Sequence, residues 1–253
     1  MTEYSVLIRS YRDILAQAED GTAAVKAACA RLGAALPASV LVVDAQGSIA
    51  ADERLEKFNP FERGEGERLD GVLADSLADM HDDLVNISMD ALPVRTAAKN
   101  DIKRYFTCIF PLNVLGRRAG SLIVYRSTAF DEEQLQLCAA VSCLAALVMG
   151  AMDNEKCIDE QRKREAVRVV TESLSYSELM VAGIVLRELG GGEGIIVASR
   201  IADKEGITRS VIVNAIRKLE SAGVLESRSL GMKGTYIKVL NEYFIGEISK
   251  ITE

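Results

Sequence analysis

The stretch Ala198–Leu219, ASRIADKEGITRSVIVNAIRKL, constrains this chain more than any other. It puts a small residue, Ala202, where two helices would cross, and a glycine, Gly206, where the bend between them requires positive φ. Beyond the bend, Ile207, Ile212, Ala215 or Ile216, and Leu219 recur at helical spacing and are expected to pack inward. That leaves Arg209, Ser210, Val213, Asn214 and Arg217 on the outward face. An arginine forks onto guanine edges and an asparagine onto adenine, a serine bonds base or phosphate, and a valine touches a thymine methyl. Thr208 is expected to cap the helix and leave its positive end toward phosphates. Ser199 and Lys218 join the candidate contacts. Glu205 departs from the pattern, because it sits where an apolar residue is common.

The flanks extend this into a module over residues 173–253. Ser175-Tyr176-Ser177-Glu178 has capping-box spacing and opens the apolar series Leu179, Ala182, Leu186, Leu189. Gly190-Gly191-Gly192 ends that helix, and Ile195–Lys204 is read as the next one. After Thr208–Ser221 come two strand patterns, Val224–Arg228 and Thr235–Leu240, around a glycine-marked turn. This order of elements reads as a winged helix-turn-helix. Its wing offers Arg228, Lys233 and Lys238, with Gly231 and Gly234 free to bring backbone near a phosphate. From Ile195 to Leu240 eight Lys/Arg stand against four Asp/Glu, a net +4, whereas the chain as a whole carries −7. A basic module on an acidic body suits specific binding to double-stranded DNA without indiscriminate coating.

The first 152 residues alternate helical and strand patterns, so the fold class is α+β. Ala23–Leu36 is helical, Ser39–Asp44 a short β-branched strand before a Gln46-Gly47 turn, and Arg104–Pro111 and Ser121–Arg126 pair across a turn at Gly116–Gly120. Asp131-Glu132-Glu133 opens a long helix reaching about Glu172, with acidic residues at its positive end. Phe58–Glu67 and Val94–Arg104 are irregular, and such loops either cover a pocket or are plain surface. Residues 153–172 are charge-laced, with opposite charges three and four apart as in Glu160 and Arg164, and read as a solvated helical linker.

Several classes are disfavoured. Leu137–Met152 is apolar for sixteen residues, short of the ~20 that span a bilayer, so it is expected to be a core or interface helix with no membrane partner. The opening residues show neither a basic region nor a long apolar run, so no secretory signal and a cytoplasmic location are expected. Five cysteines without metal spacing read as free thiols. His81 is the sole histidine, which removes His metal clusters and leaves nothing recognisable to activate a nucleophile. The glycines at 190–194 lack the Gly-Lys-Ser/Thr of a phosphate loop. An enzyme is not expected.

SLSYSEL, VASRIADKEGITRSVIVNAIRKLESAGV and ESRSLGMKGTYIKVLN, within Ser173–Leu240, resemble the CodY family of pleiotropic transcriptional repressors over about a quarter of the chain. The resemblance implies a GAF-type sensor for branched-chain amino acids (isoleucine, leucine or valine), a long helical linker, a homodimer and an A/T-rich palindromic operator. GTP is the family's second effector. LVVDAQGSI (Leu41–Ile49) and PLNVLGRRAGSLIV (Pro111–Val124) look GAF-like, so residues 1–152 are expected to be a GAF-like sensor. The family's pocket arginine matches Arg68 in GERLDGVL, with Leu69 and Val72 at positions of family methionines, and Leu92-Pro93-Val94 matches another pocket wall. A guanidinium can hold a ligand carboxylate through two parallel charge-assisted hydrogen bonds. Two features depart from the family: the Phe-Pro after the arginine has no counterpart near Leu77–Met80, and the loop associated with nucleotide reads Asp44-Ala45-Gln46-Gly47-Ser48, whose aspartate opposes a triphosphate.

Overall fold

The computed structural model describes residues 3–55, 58–94, 99–190 and 192–252. Gly191 of the glycine run and residues 95–98 of the irregular stretch lie outside the described residues. The chain divides into two compact units, Met1–Glu155 and Lys156–Glu253.

The first unit is α+β. Helices α1 (Glu3–Gln17) and α2 (Gly21–Ala35) precede the strands β1 (Ser39–Asp44) and β2 (Ile49–Glu53). There follow α3 (Gly71–Ala78), β3 (Leu84–Ser88), the short α4 (Lys99–Ile102), β4 (Phe106–Val114), β5 (Arg117–Arg126) and α5 (Glu132–Ser173). The strands form one antiparallel sheet in the order β2-β1-β5-β4-β3. Its central strands read as unbroken apolar runs because both faces are covered. Val40, Val42, Cys108, Phe110, Leu122 and Val124 point to one core with Ala28, Cys29 and Leu32 of α2 and Leu137, Cys138, Val141, Ala145 and Met149 of α5. Their neighbours Leu41, Val43, Ile109, Ile123 and Tyr125 point to the other, under α3 and the loops. The β4–β5 turn sits at Leu115-Gly116, both at positive φ as a two-residue hairpin loop requires, so β5 begins earlier than the apolar pattern indicates. α1 was not read from the sequence although Leu7, Tyr11, Ile14 and Leu15 recur at helical spacing, and the five-residue β3 was not read either.

α5 is one uninterrupted helix of 42 residues. An apolar stretch of it is long enough to cross a membrane by length and composition alone, yet its inner residues from Leu137 to Met149 fill the first core. Residues 154–165 are exposed throughout, as a charge-laced sequence dictates. The last two turns are not. Val167, Val170 and Thr171 are buried, and the two valines belong to the core of the second unit. Ion pairs along the helix join Asp159 to Lys163 and Arg168 to Glu165 and Glu172, while Arg164 lies 4.4 Å over the ring of Tyr243.

In the second unit α6 (Tyr176–Leu189), β6 (Glu193–Ile196), α7 (Ala198–Glu205), α8 (Arg209–Ser221), β7 (Leu225–Ser229), β8 (Thr235–Val239) and α9 (Glu242–Thr252) surround a second core. Ser175 and Glu178 form the capping box that their spacing predicts. Ile195 and Ile196, read from sequence as the start of a helix, instead pair with Tyr236 and Thr235, so the wing is a three-stranded sheet in the order β6-β8-β7 rather than a hairpin. Two β-branched residues after Gly194 suit a strand once β8 is there to pair with, and Val197 then takes the extended N-cap position of α7.

Candidate nucleic-acid interface and sensor face

α7 ends at Gly206, which adopts φ +68°, and the amide of Ile207 donates to the Ala202 carbonyl at 3.1 Å. This left-handed cap turns the chain sharply enough for Ala202 and Ile201 to bury against α8. On α8, Ile212, Ala215, Ile216 and Leu219 are buried, the first two fully. Arg209, Ser210, Asn214 and Arg217 are exposed and Val213 is half-buried. The outward set is therefore brought together on one face, as the periodicity requires.

Two candidates behave differently from expectation. Thr208 occupies the N-cap position of α8, but its side chain makes no cap bond. Its hydroxyl instead pairs with that of Ser210 at 2.9 Å, so the first-turn amides of α8 receive nothing from it. Lys218 is half-exposed, yet its amine donates to Glu178 Oε2 at 2.8 Å and to the Ser173 carbonyl at 3.3 Å. Its charge is thus committed within the unit. Ser199 is exposed in the first turn of α7. Lys204, later in the same helix, is held by Glu188 of α6 at 2.6 Å.

The wing is tied to the recognition helix. The Ser227 amide and hydroxyl both donate to Glu220 Oε1 of α8 at 3.1 Å. Arg228 and Lys233 are exposed, as is Lys238. Gly234, at φ +110°, has a structural need of its own: a Cβ there would lie 2.3 Å from the Ile196 carbonyl oxygen. Its missing side chain lets the wing close on β6. At the other end of the module, the buried Asn241 side chain donates to the Lys163 carbonyl of α5 at 2.7 Å. Glu220 and Asn241 escaped sequence reading because no local pattern marks them, and the capping-box spacing marked Glu178 as a cap but not as the partner of Lys218.

The sensor candidates divide. Leu69 is buried in the cluster with Ile49, Leu73, Met89, Tyr105 and Tyr125, and Leu92 and Val94 pack partly against the same cluster. Pro93 is half-buried between them. Arg68 and Val72 face solvent. The backbone around Arg68 is pinned to the β1–β2 turn by the Leu69 amide, which donates to the Gly47 carbonyl at 2.9 Å. In that turn the Asp44 carboxylate accepts from the amides of Gln46 and Ser48 at 2.9 and 2.8 Å. Four aromatic residues missed by sequence reading line this face. Phe58 stacks on Tyr105 at 5.0 Å, and Tyr125 takes edges from Tyr105 and Phe61. Their scatter along the chain left no local signal.

Residues 192–251 match the CodY helix-turn-helix domain family. The global transcriptional regulator CodY of Shouchella clausii is 38% identical over 227 residues, covering 87% of each chain. That of Geobacillus kaustophilus is 46% identical over 168 residues, which is 66% of this chain and 64% of the relative. Among solved structures, the cofactor-binding GAF domain of the nutrient sensor CodY from Clostridium difficile aligns with 58% of this chain and 97% of its own, at 16% identity and a TM-score of 0.42. With a helix-turn-helix at its C-terminal end and a relative matched across most of both lengths, this chain belongs to the CodY family of global transcriptional regulators.

Proposed function

We propose that this protein is a cytoplasmic, homodimeric, effector-controlled repressor that binds an A/T-rich palindromic operator. The observation that carries the reading is the division of α8, whose apolar residues are buried while Arg209, Ser210, Asn214 and Arg217 stay in solvent. A helix with this composition, held by its apolar side, has the form that enters a major groove. Ser199, Thr208, Val213, Arg228 and Lys233 complete the proposed DNA-binding set, while Lys218, held by Glu178, is left out of it. Two such helices on a dimer would meet half-sites about 34 Å apart.

The effector reading assigns isoleucine, leucine or valine to the face of the sheet under α3. Leu69, Leu92 and Val94 supply apolar wall there, with Val72 and Pro93 beside them, and Arg68 supplies the only proposed partner for the ligand carboxylate. The fully buried Thr107 hydroxyl, which belongs to this face by strand alternation with Ile109, has no hydrogen-bond partner among the described residues and supports a ligand with a polar group. GTP is the weaker effector of the two. Asp44 occupies the amides that a phosphate would need and adds a negative charge. Effector binding shifts the DNA-competent population only by its differential affinity for the two states.

A second reading, constitutive DNA binding without a ligand, is favoured by the exposure of Arg68 and Val72. Selecting duplexes from a random pool with the full chain, then titrating the winner in the presence of Ile, Leu, Val or GTP, separates the two. Tightening by a branched-chain amino acid, abolished in Arg68→Ala, supports the sensor; indifference to all four supports constitutive binding. Failure to enrich any duplex removes both.

A further inference from the structure

The tip of the wing holds an apolar side chain that is left in solvent by the described residues. Met232 is 105% exposed, at the apex of the single 3-10 turn Gly231–Lys233, and Leu230 beside it is 37% exposed. A thioether in open solvent loses the burial that normally favours methionine. The backbone beneath it is nevertheless well braced. The Leu230 amide donates to the Gly234 carbonyl at 2.8 Å, the Lys233 amide to Leu230 at 3.3 Å, and the Gly234 amide to Gly231 at 3.2 Å. Gly234 is packed onto the Ile196 carbonyl, and Ser227 ties β7 to Glu220 at the end of the recognition helix. The tip is therefore an apolar point fixed relative to α8, with Lys233 adjoining it and Arg228 on the strand leading to it.

We infer that Met232 is a specificity-determining contact that enters the minor groove of the duplex bound by α8. The inference rests on the proposed DNA binding. The flanking cations commit the tip to a polyanion, because Lys233 next to Met232 and Arg228 on the strand leading to it are exposed and free to meet phosphates bordering the groove that the uncharged methionine enters. An unbranched apolar side chain fits against the sugar walls of a minor groove and wedges at base steps that open easily. The exocyclic amino group of guanine projects into that groove, so the contact selects against G·C beneath the wing.

The test uses the full chain and the duplex that the wild type selects from a random pool. At the base pairs beneath the wing, A·T, G·C and inosine·C are compared; inosine·C keeps the major-groove face of G·C but lacks the guanine amino group. The wild type should bind A·T and inosine·C alike and G·C several-fold more weakly. Met232→Ala should lose roughly 5- to 20-fold on the selected duplex and no longer distinguish inosine·C from G·C. Its dependence on salt should not change, since no phosphate contact is lost. Met232→Leu should restore the discrimination. If Met232→Ala keeps wild-type affinity, or loses affinity with the inosine·C preference intact, while Arg209→Ala is impaired, the minor-groove assignment is overturned and DNA binding by α8 stands. If the wild type enriches no duplex, both fall together.

Discussion

Lys218 of α8 and Glu178 of α6 are joined at 2.8 Å through a carboxylate that also accepts from the Ser175 amide at 2.8 Å. One side chain thus closes the N-terminus of α6 and holds the recognition helix, next to the Ser173 carbonyl at the end of α5. The Lys218 hydrogen bond, followed by that of the Ser175 amide, keeps the Glu178 carboxyl below its ordinary range. A carboxylate with a depressed folded value contributes stability at neutral pH that disappears as pH falls through that range. Glu178→Gln should therefore destabilise the second unit by about 1 kcal/mol at pH 7. Thermal melts of the two proteins should converge as the pH is lowered through and below the ordinary carboxylate range.

Arg209 and Asn214 are exposed on the outward face of α8. Arg209→Ala or Asn214→Ala should weaken specific binding by roughly 1–3 kcal/mol and relax the preference at one base pair each. Lys233→Ala should weaken all sequences alike and reduce the salt slope by about one. Fluorescence anisotropy on the selected duplex and on a scrambled one, across a salt series, separates the two patterns.

Gly234→Ala should open the wing. The new Cβ would collide with the Ile196 carbonyl at a φ that alanine rarely adopts, and backbone cannot yield as a flexible side chain could. Faster proteolytic cleavage between Ser229 and Thr235, with the helices of the unit still folded by circular dichroism, is the expected outcome.

Thiol reactivity should divide the five cysteines. Burial pushes the Cys29 and Cys138 thiols up to about 12, with nearby Glu53 adding to the first and Cys108 to the second. Cys108 is also buried and raised by burial, whereas Cys143 and Cys157 are exposed. A neutral-pH alkylation assay should modify Cys143 and Cys157 quickly, and the other three only after unfolding.

The helix-turn-helix was legible because its determinants are local. A glycine at the bend, a small residue at the crossing and a 3.6-residue apolar period act within about twenty residues, so Ile212, Ala215, Ile216 and Leu219 went inward as their spacing dictates. The strands β1, β4 and β5 were legible for the same reason, being short β-branched runs bounded by turns. Only tertiary structure decided that Ile195 and Ile196 join the wing, since a strand of four residues needs a partner forty positions away to declare itself. It also decided that Lys218 serves Glu178, that Val167 and Val170 of a charge-rich helix lie in a core, and that Phe58, Phe61, Tyr105 and Tyr125 meet on one face. Those pairings join residues far apart in the chain, and a one-dimensional period carries no information about which distant side chain will fill the opposite side of a contact.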